Sequence, residues 1–247
     1  MTIRTTLIAS SLIAASFFSG AAQATLLGRD LNGSASSFEA FYDTVLDITW
    51  LANANVNGQM THGAATTWAA NLSFTNGVNT YDNWRLPTVN PVNGVSFNYS
   101  SSPDGSTDLG YNISKAGTAY AGSTGSEMAH LFYTTLGNSG YYTPSDAVSG
   151  CYVSSSNTCL DNTVPFANLQ AYFYWSATEY APDTAGAWYF DFGLGSQSVS
   201  DRGNGFYALA VSPGDVAAVP EAQTYALMLA GLGLVGVAAR RRKQTEA

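Results

Sequence analysis

Few side chains in this sequence could act as a catalytic base or nucleophile. The histidines are His62 and His130, and the thiols are Cys151 and Cys159. No G-x-S-x-G turn surrounds a serine and no H-E-x-x-H motif occurs, so two common hydrolase patterns are missing. Glu127 and His130 have the helical Glu-x-x-His spacing, which binds a metal only with further ligands from elsewhere. We therefore expect no enzymatic activity and no cofactor, with His130 at the surface near a helix start.

Two aspartates are candidates for calcium. Asp104 and Asp108 enclose an Asp-Gly-Ser-Thr-Asp stretch that resembles part of an oxygen-rich calcium loop, but the twelve-residue spacing and the terminal glutamate are missing. The alternative is a pair of solvated turn residues, for which Asp and Gly are natural choices. Calcium is therefore the one cofactor that the sequence leaves open.

Aromatic side chains offer binding chemistry. The chain has 15 tyrosines and 5 tryptophans but only 11% charged residues. Aromatic faces beside Asn and Asp suit stacking on sugar rings together with hydrogen bonds to hydroxyls. Four tyrosines in or beside one Gly- and Ser-rich stretch are the candidate glycan contacts: Tyr141, Tyr142, Tyr152 and Tyr172. The alternative is ordinary packing in the core and loops.

The N-terminal residues 1–24 have the three zones of a secretory signal peptide. Arg4 is the positive start, Leu7–Phe18 is apolar, and Ala22–Ala24 is a small-x-small cleavage site. We expect cleavage after Ala24 and export of the body.

The C-terminal stretch Thr224–Ala239 contains no charged residue and precedes the basic run Arg240–Lys243. As a helix, its 16 residues would span about 24 Å, a little less than the roughly 30 Å hydrocarbon core. The basic run favours the cytoplasmic side for this end, with the body outside. The sequence thus predicts a single C-terminal transmembrane helix, 224–239. The G-x-G-x-x-G at Gly231–Gly236 lies inside it and is not a dinucleotide site, because no strand precedes it.

The exported body, residues 25–219, is strongly acidic. Its four cations face fifteen carboxylates, and the whole chain has a net charge of −8. Such a charge excludes nucleic acid and other polyanions as partners.

Export also favours a disulfide between Cys151 and Cys159, which would contribute roughly 2–3 kcal/mol. The alternative, a thiol nucleophile beside His130, predicts a free thiol.

The pattern of the body predicts a β-rich α+β domain. A half-buried strand is expected at Leu46–Trp50 after a short run at Phe38–Tyr42, and a one-faced helix at Ala64–Leu72. A second helix, Ser126–Leu136, would be capped by Thr124 and Glu127 and ended by Gly137. A meander of four strands follows: Phe173–Thr178, Trp188–Phe192, Gln197–Ser200 and Phe206–Val211. Asn90–Gly122 and Asn138–Asn168 are expected to be long loops.

Val219, Pro220, Glu221 and Ala222 precede the apolar stretch, and Arg240, Arg241 and Arg242 follow it. This arrangement resembles the PEP-CTERM sorting signal of Gram-negative bacteria, with Ala222 in place of the second proline. The resemblance implies transient anchoring in the inner membrane and processing by an exosortase.

The predicted boundaries are a signal peptide at 1–24, linkers at 25–37 and 213–218, a domain at 38–212 and a sorting signal at 219–243.

Four segments of the body occur in a characteristic order: Tyr42–Leu51, Asn83–Thr88, Glu127–Met128 and Tyr174–Phe190. Over residues 38–211 this order resembles the domain of unknown function 1566, also called the Lcl C-terminal domain. That family is similar to formylglycine-generating and C-type-lectin-like folds. The resemblance implies an α+β domain of twisted antiparallel strands with two short helices. The chain departs from the family pattern by an insertion between Thr88 and Glu127, which puts a fixed ligand surface there in doubt.

The motif residues are interpreted as structural: Trp50, Trp84, Arg85, Leu86, Pro87, Glu127, Trp175, Ser176 and Trp188. Arg85 is expected to pair with Glu127 or Asp191, and ligand binding by Arg85 is the alternative.

Together these features predict an exported, surface-sorted, non-enzymatic module of the exopolysaccharide or biofilm matrix. It would bind or adhere to a neutral glycan or a protein. The expected partners are the exosortase and export machinery, with exopolysaccharide or surface proteins as ligands. The alternatives are an enzyme on a formylglycine-generating-like scaffold and a structural coat protein without a ligand.

Overall fold

The computed structural model describes residues 25–34, 37–153 and 157–216. The strands are β1 (Leu26–Arg29), β2 (Ala40–Asp43), β3 (Ile48–Leu51), β4 (Phe74–Thr75), β5 (Thr80–Tyr81), β6 (Ser101–Ser102), β7 (Leu109–Tyr111), β8 (Phe173–Glu179), β9 (Gly186–Asp191), β10 (Ser196–Asp201) and β11 (Val211–Pro213). The helices are α1 (His62–Ala70) and α2 (Glu127–His130), with a π-helical turn at Leu131–Thr135 and a 3-10 turn at Gly150–Val153. The predicted β-rich α+β character is confirmed.

One sheet joins the two ends of the described chain in the order β1-β2-β3-β11. The turn between β2 and β3 is held by Asp43, whose side chain accepts hydrogen bonds from the Val45 and Leu46 amides. The half-buried alternation predicted for β3 is wrong, because Thr49 is buried as well and donates to the Gly214 carbonyl. The predicted linker 25–37 is also corrected, since β1 pairs with β2 along its whole length.

The second sheet has the order β6-β7-β10-β9-β8. Its β8-β9-β10 meander is confirmed. The predicted loop Asn90–Gly122 is wrong in part, because it contains β6 and β7, and β7 pairs with β10. These two strands are short and rich in Ser and Gly, so their hydrogen bonds to neighbouring strands define them rather than an apolar alternation.

The chain leaves this sheet after Asp201, so the fourth strand predicted at Phe206–Val211 is wrong. Phe206 and Tyr207 make isolated bridges to Met60 and Tyr174. Val211 then begins β11 in the first sheet, beside β3. An apolar run that is buried on all sides looks the same in sequence whether it is a strand or a connection between sheets.

The helix α1 begins two residues earlier than predicted, because Thr61 caps it by accepting a hydrogen bond from the Ala64 amide. The prediction for the second helix needs two corrections. Ser126 caps α2 rather than Thr124, since the Ser126 hydroxyl accepts from the Ala129 amide. After His130 the helix continues with π-helical hydrogen bonding, and Gly137 follows it with a positive φ, as expected.

The core lies between the sheets and the helices and is dominated by aromatic side chains. The motif tryptophans are all buried: Trp50, Trp84, Trp175 and Trp188. Phe132 of the π-helical turn packs against Phe190 and Phe192 from the second sheet. Leu86, Pro87 and Ser176 are buried too.

Within residues 25–34, 37–153 and 157–216, no helix combines the length and the apolar character that a membrane span requires. The predicted signal peptide 1–24, the predicted transmembrane helix 224–239 and the sorting-signal residues lie outside the described residues.

Candidate functional site

Arg85 is paired with Glu127, one of its two predicted partners. The guanidinium donates to both carboxylate oxygens, at 2.8 and 2.7 Å. The same carboxylate accepts a 2.7 Å hydrogen bond from the Thr88 amide. This bidentate pair joins the Trp-Arg-Leu-Pro turn to the start of α2.

Asp191, the other predicted partner of Arg85, instead organises the turn between β9 and β10. Its Oδ1 accepts hydrogen bonds from the amides of Gly193 at 2.8 Å and Leu194 at 3.3 Å. Burial raises the pKa of Asp191 above its ordinary value, and these two hydrogen bonds oppose that rise. The second oxygen, Oδ2, accepts no hydrogen bond from the described part of the chain.

The disulfide loop is fastened to this same turn. Cys151 and Cys159 form the predicted disulfide. The Cys159 amide donates to the Gly193 carbonyl at 2.7 Å, and the Thr158 hydroxyl donates to it at 3.2 Å. On the other side of the loop, the Tyr141 amide donates to the Leu194 carbonyl at 2.8 Å. Thr158, Cys159 and Tyr141 are therefore tied directly to the turn.

Between them lies a cleft of about 330 Å³, which we call the tyrosine cleft. Its lining residues come from the disulfide loop, the approach to β8 and the β9-β10 turn: Tyr152, Asn157, Thr158, Ala171, Tyr172, Phe173, Asp191, Gly193 and Leu194. Tyr152 and Tyr172, both predicted glycan contacts, are 38% and 37% exposed. The structure thus brings two of the four candidate tyrosines together beside a carboxylate.

The other two candidates, Tyr141 and Tyr142, extend away from the cleft in a row of edge-to-face rings. The ring centroids of Tyr141 lie 5.1 Å from Tyr152 and 4.8 Å from Tyr142. Tyr142 in turn lies 5.0 Å from Tyr111 of β7. Tyr111 could not be recognised from its position in the sequence, because only the pairing of β7 with β10 brings it here.

The histidines lie away from the cleft. His130 is fully buried, so the predicted surface position is wrong. Its Nδ1 lies 3.4 Å from the Thr135 hydroxyl, which donates to Asp43 at 3.1 Å. Within the described residues, no group of three His, Cys, Asp or Glu side chains could hold a metal ion. Because Glu127 is bound to Arg85, the Glu-x-x-His spacing brings no metal site together.

The two calcium candidates fix a loop instead. Asp104 accepts hydrogen bonds from the amide and the hydroxyl of Ser106, which lower the pKa of this carboxyl. Asp108 is fully buried and accepts from the amides of Val92 at 2.7 Å and Asn98 at 2.6 Å. These contacts hold the insertion between Thr88 and Glu127 in place.

Comparison with known proteins agrees with both resemblances noted in the sequence. The Lcl C-terminal domain family model matches residues 39–212, and the PEP-CTERM protein-sorting motif matches residues 218–243. No curated protein and no solved structure matches the chain. The likeness to C-type-lectin-like and formylglycine-generating folds stays a prediction.

Proposed function

The chain belongs to the Lcl C-terminal domain family and carries a PEP-CTERM sorting motif, and from this premise we propose that it is a glycan-binding protein of the extracellular matrix. The PEP-CTERM motif is a substrate signal for exosortase, so the protein is exported and sorted through membrane anchoring. In this proposal it binds a neutral polysaccharide at the surface of a Gram-negative cell, without enzymatic activity and without a cofactor.

The tyrosine cleft is the observation that carries this proposal. Tyr152 and Tyr172 present rings for stacking, and Asp191 Oδ2 offers an acceptor for a sugar hydroxyl. Asn157 and Thr158 add further polar groups at the rim. Because the disulfide and the hydrogen bonds of Thr158 and Cys159 to the β9-β10 turn hold these residues, less ordering entropy would be lost there when a sugar binds.

Charge favours a neutral ligand over an acidic one. Three of the four described cations are already in ion pairs: Arg29 with Asp215, Arg85 with Glu127 and Arg202 with Glu179. The fourth, Lys115, lies over the ring of Tyr133. A body with so many more carboxylates than cations repels sulfated or uronic-acid chains.

The test uses the full chain in a detergent without a sugar headgroup, applied to an array of neutral and acidic oligosaccharides. Polysaccharide purified from the producing cells is the second probe. We expect binding to neutral glycans that Tyr172→Ala weakens about tenfold, equivalent to roughly 1.4 kcal/mol of lost stacking. Tyr172→Phe keeps the ring and is the matched control, with binding close to wild type.

Asp191→Asn tests the contribution of the carboxylate to binding separately from ring stacking by the tyrosines. The amide oxygen can still accept from the Gly193 amide, so the turn is retained while the charge is lost. Binding should weaken while the melting temperature stays close to that of the wild type. Blank arrays and a blank pull-down would remove the proposal. Release of new reducing ends from a bound glycan would favour an enzyme instead.

A further inference from the structure

A second set of aromatic rings lies at the other end of the β9-β10 hairpin. Phe97 stacks on Trp188 with centroids 5.3 Å apart, and Tyr99 stacks on the same indole at 6.2 Å. Tyr180 meets Tyr99 edge to face at 5.2 Å. Trp188 is fully buried beneath this layer, whereas Phe97, Tyr99 and Tyr180 are each partly exposed.

Beside Tyr180 is a cleft of about 240 Å³, which we call the hairpin cleft. Asp183, Ser200 and Asp201 line it together with Gly186. Each aspartate holds a local turn through Oδ1, which accepts from the Ala185 amide at 3.0 Å for Asp183 and from the Gly203 amide at 2.7 Å for Asp201. Their second oxygens accept no hydrogen bond from the described residues. The chemistry resembles that of the tyrosine cleft, because the Tyr180 ring, packed against Tyr99 outside the cleft, lies beside carboxylate acceptors.

The ring layer is held in position by a buried carboxylate. Phe97 and Tyr99 belong to the insertion between Thr88 and Glu127, and the residue between them, Asn98, donates its amide to Asp108 Oδ2. Asp108 is fully buried and is itself fixed by the Val92 amide. The insertion thus packs two rings on Trp188, and one of them, Tyr99, supports Tyr180 at the cleft.

The two clefts lie at opposite ends of one strand pair. Gly186 and Asp201 are paired at the hairpin cleft, and Asp191 and Ser196 are paired at the tyrosine cleft. Five residue steps at about 3.4 Å each put these ends about 17 Å apart. Resting on the proposed function of the tyrosine cleft, we propose that the hairpin cleft is a second neutral-glycan site, so that one domain holds two polysaccharide segments at once. Such a protein cross-links its matrix through avidity.

Calorimetry with linear neutral hexasaccharides of glucose, galactose and mannose, each used separately, tests this directly. The wild type should bind two molecules of one of these probes per chain. Tyr180→Ala and Tyr172→Ala should each reduce the stoichiometry to one, and the double variant should bind none. Tyr180→Phe, which keeps the ring, should still bind two. The double variant Asp183→Asn/Asp201→Asn removes the carboxylates of the hairpin cleft and leaves the aromatic layer untouched. It should also reduce the stoichiometry to one.

Cross-linking supplies an independent readout. Mixed with purified cell polysaccharide, the wild type should raise light scattering several-fold, and each single-cleft variant should abolish that rise. A stoichiometry of one that Tyr172→Ala removes and Tyr180→Ala does not change would overturn the second site while the proposed function stands. If no hexasaccharide binds the wild type, or if neither Tyr172→Ala nor Tyr180→Ala alters that binding, the proposed function and the second site fail together.

Discussion

At the scale of single residues, the Arg85–Glu127 pair makes the sharpest stability prediction. Arg85→Met would leave a carboxylate that is only 10% exposed without its cation. Removing one partner of a buried pair costs about 3–5 kcal/mol, and the one-third exposure of Arg85 reduces this to about 2 kcal/mol. Urea unfolding measures the change in the free energy of unfolding.

Arg202→Met is the matched control, because the Arg202–Glu179 pair lies at the surface and should cost less than about 1 kcal/mol. Adding Glu127→Gln to Arg85→Met removes the unpaired charge and should recover part of the loss. An equal loss in Arg85→Met and Arg202→Met would show that the buried pair has no special role.

The two histidines predict how stability depends on pH. Burial lowers the pKa of His130 and of His62 below 6.5, with Asp43 partly opposing the effect at His130 and the Ser176 carbonyl at His62. The unfolded chain therefore binds more protons than the folded chain below pH 6.5. Stability should be constant from pH 8 to 7 and then fall as the pH drops from 6.5 towards the folded-state values. Each histidine contributes at most about 1.4 kcal/mol per pH unit.

Urea titrations at pH 7.5, 6.5 and 5.5 measure this slope. His130→Gln should remove the share that belongs to His130 and leave the share of His62. A slope that is unchanged in His130→Gln and in His62→Gln would mean that other groups cause the acid sensitivity.

At the scale of elements, the pairing of β6 with β7 depends on one glycine. Gly110 has a φ of 110°, and a Cβ there would collide with the Ser102 carbonyl oxygen and lie 2.8 Å from the Ser102 nitrogen. Gly110→Ala should therefore force β6 away from the sheet and cost about 3 kcal/mol or more. Thermal unfolding and hydrogen exchange at Leu109–Tyr111 measure the effect.

Gly117→Ala controls for backbone strain alone. Gly117 also has a positive φ, of 83°, but a Cβ there meets nothing within 4 Å. Gly117→Ala should therefore lower the free energy of unfolding by only about 1 kcal/mol. Equal losses at the two positions would contradict a specific role for the close approach of β6 and β7.

The elements also show what the sequence could predict. Trp188 and Phe190 alternate with polar neighbours, so β9 could be placed by period alone, and α1 by its repeat of apolar residues. β6 and β7 could not, because Ser101–Ser102 and Leu109–Tyr111 become strands only by hydrogen bonding to other strands. The change to π-helical hydrogen bonding after His130 likewise has no signature in side-chain type.

The candidate site likewise has features that the sequence could predict and features that it could not. Tyr152 and Tyr172 could be proposed as contacts because they lie in or beside a polar stretch, and the expected export of the chain predicted the disulfide between Cys151 and Cys159. Their convergence on Asp191 could not be predicted, since it depends on the Cys159 amide reaching the Gly193 carbonyl. Glu127 and Asp191 were equal candidates for Arg85, and only the fold decides between them.

At the scale of the whole molecule, the negative charge and the aromatic surface both favour a neutral ligand. The exported body carries fifteen carboxylates and four cations. Its field extends over a Debye length, about 20–30 Å in dilute buffer and about 10 Å at 0.1 M salt, and it disfavours any polyanion. Ring stacking on a neutral sugar carries no net charge and is hardly screened.

Salt should therefore separate the two ligand classes. Affinity for a neutral hexasaccharide should change less than about twofold between 20 and 500 mM sodium chloride, and a sulfated polysaccharide should stay unbound at both concentrations. Asp161→Lys places a cation at an exposed position two residues after the disulfide loop, and it should leave neutral binding intact while admitting weak, salt-sensitive binding of the sulfated chain. If the wild type binds the sulfated chain tightly at 20 mM salt and releases it at 500 mM, the long-range field does not select the ligand.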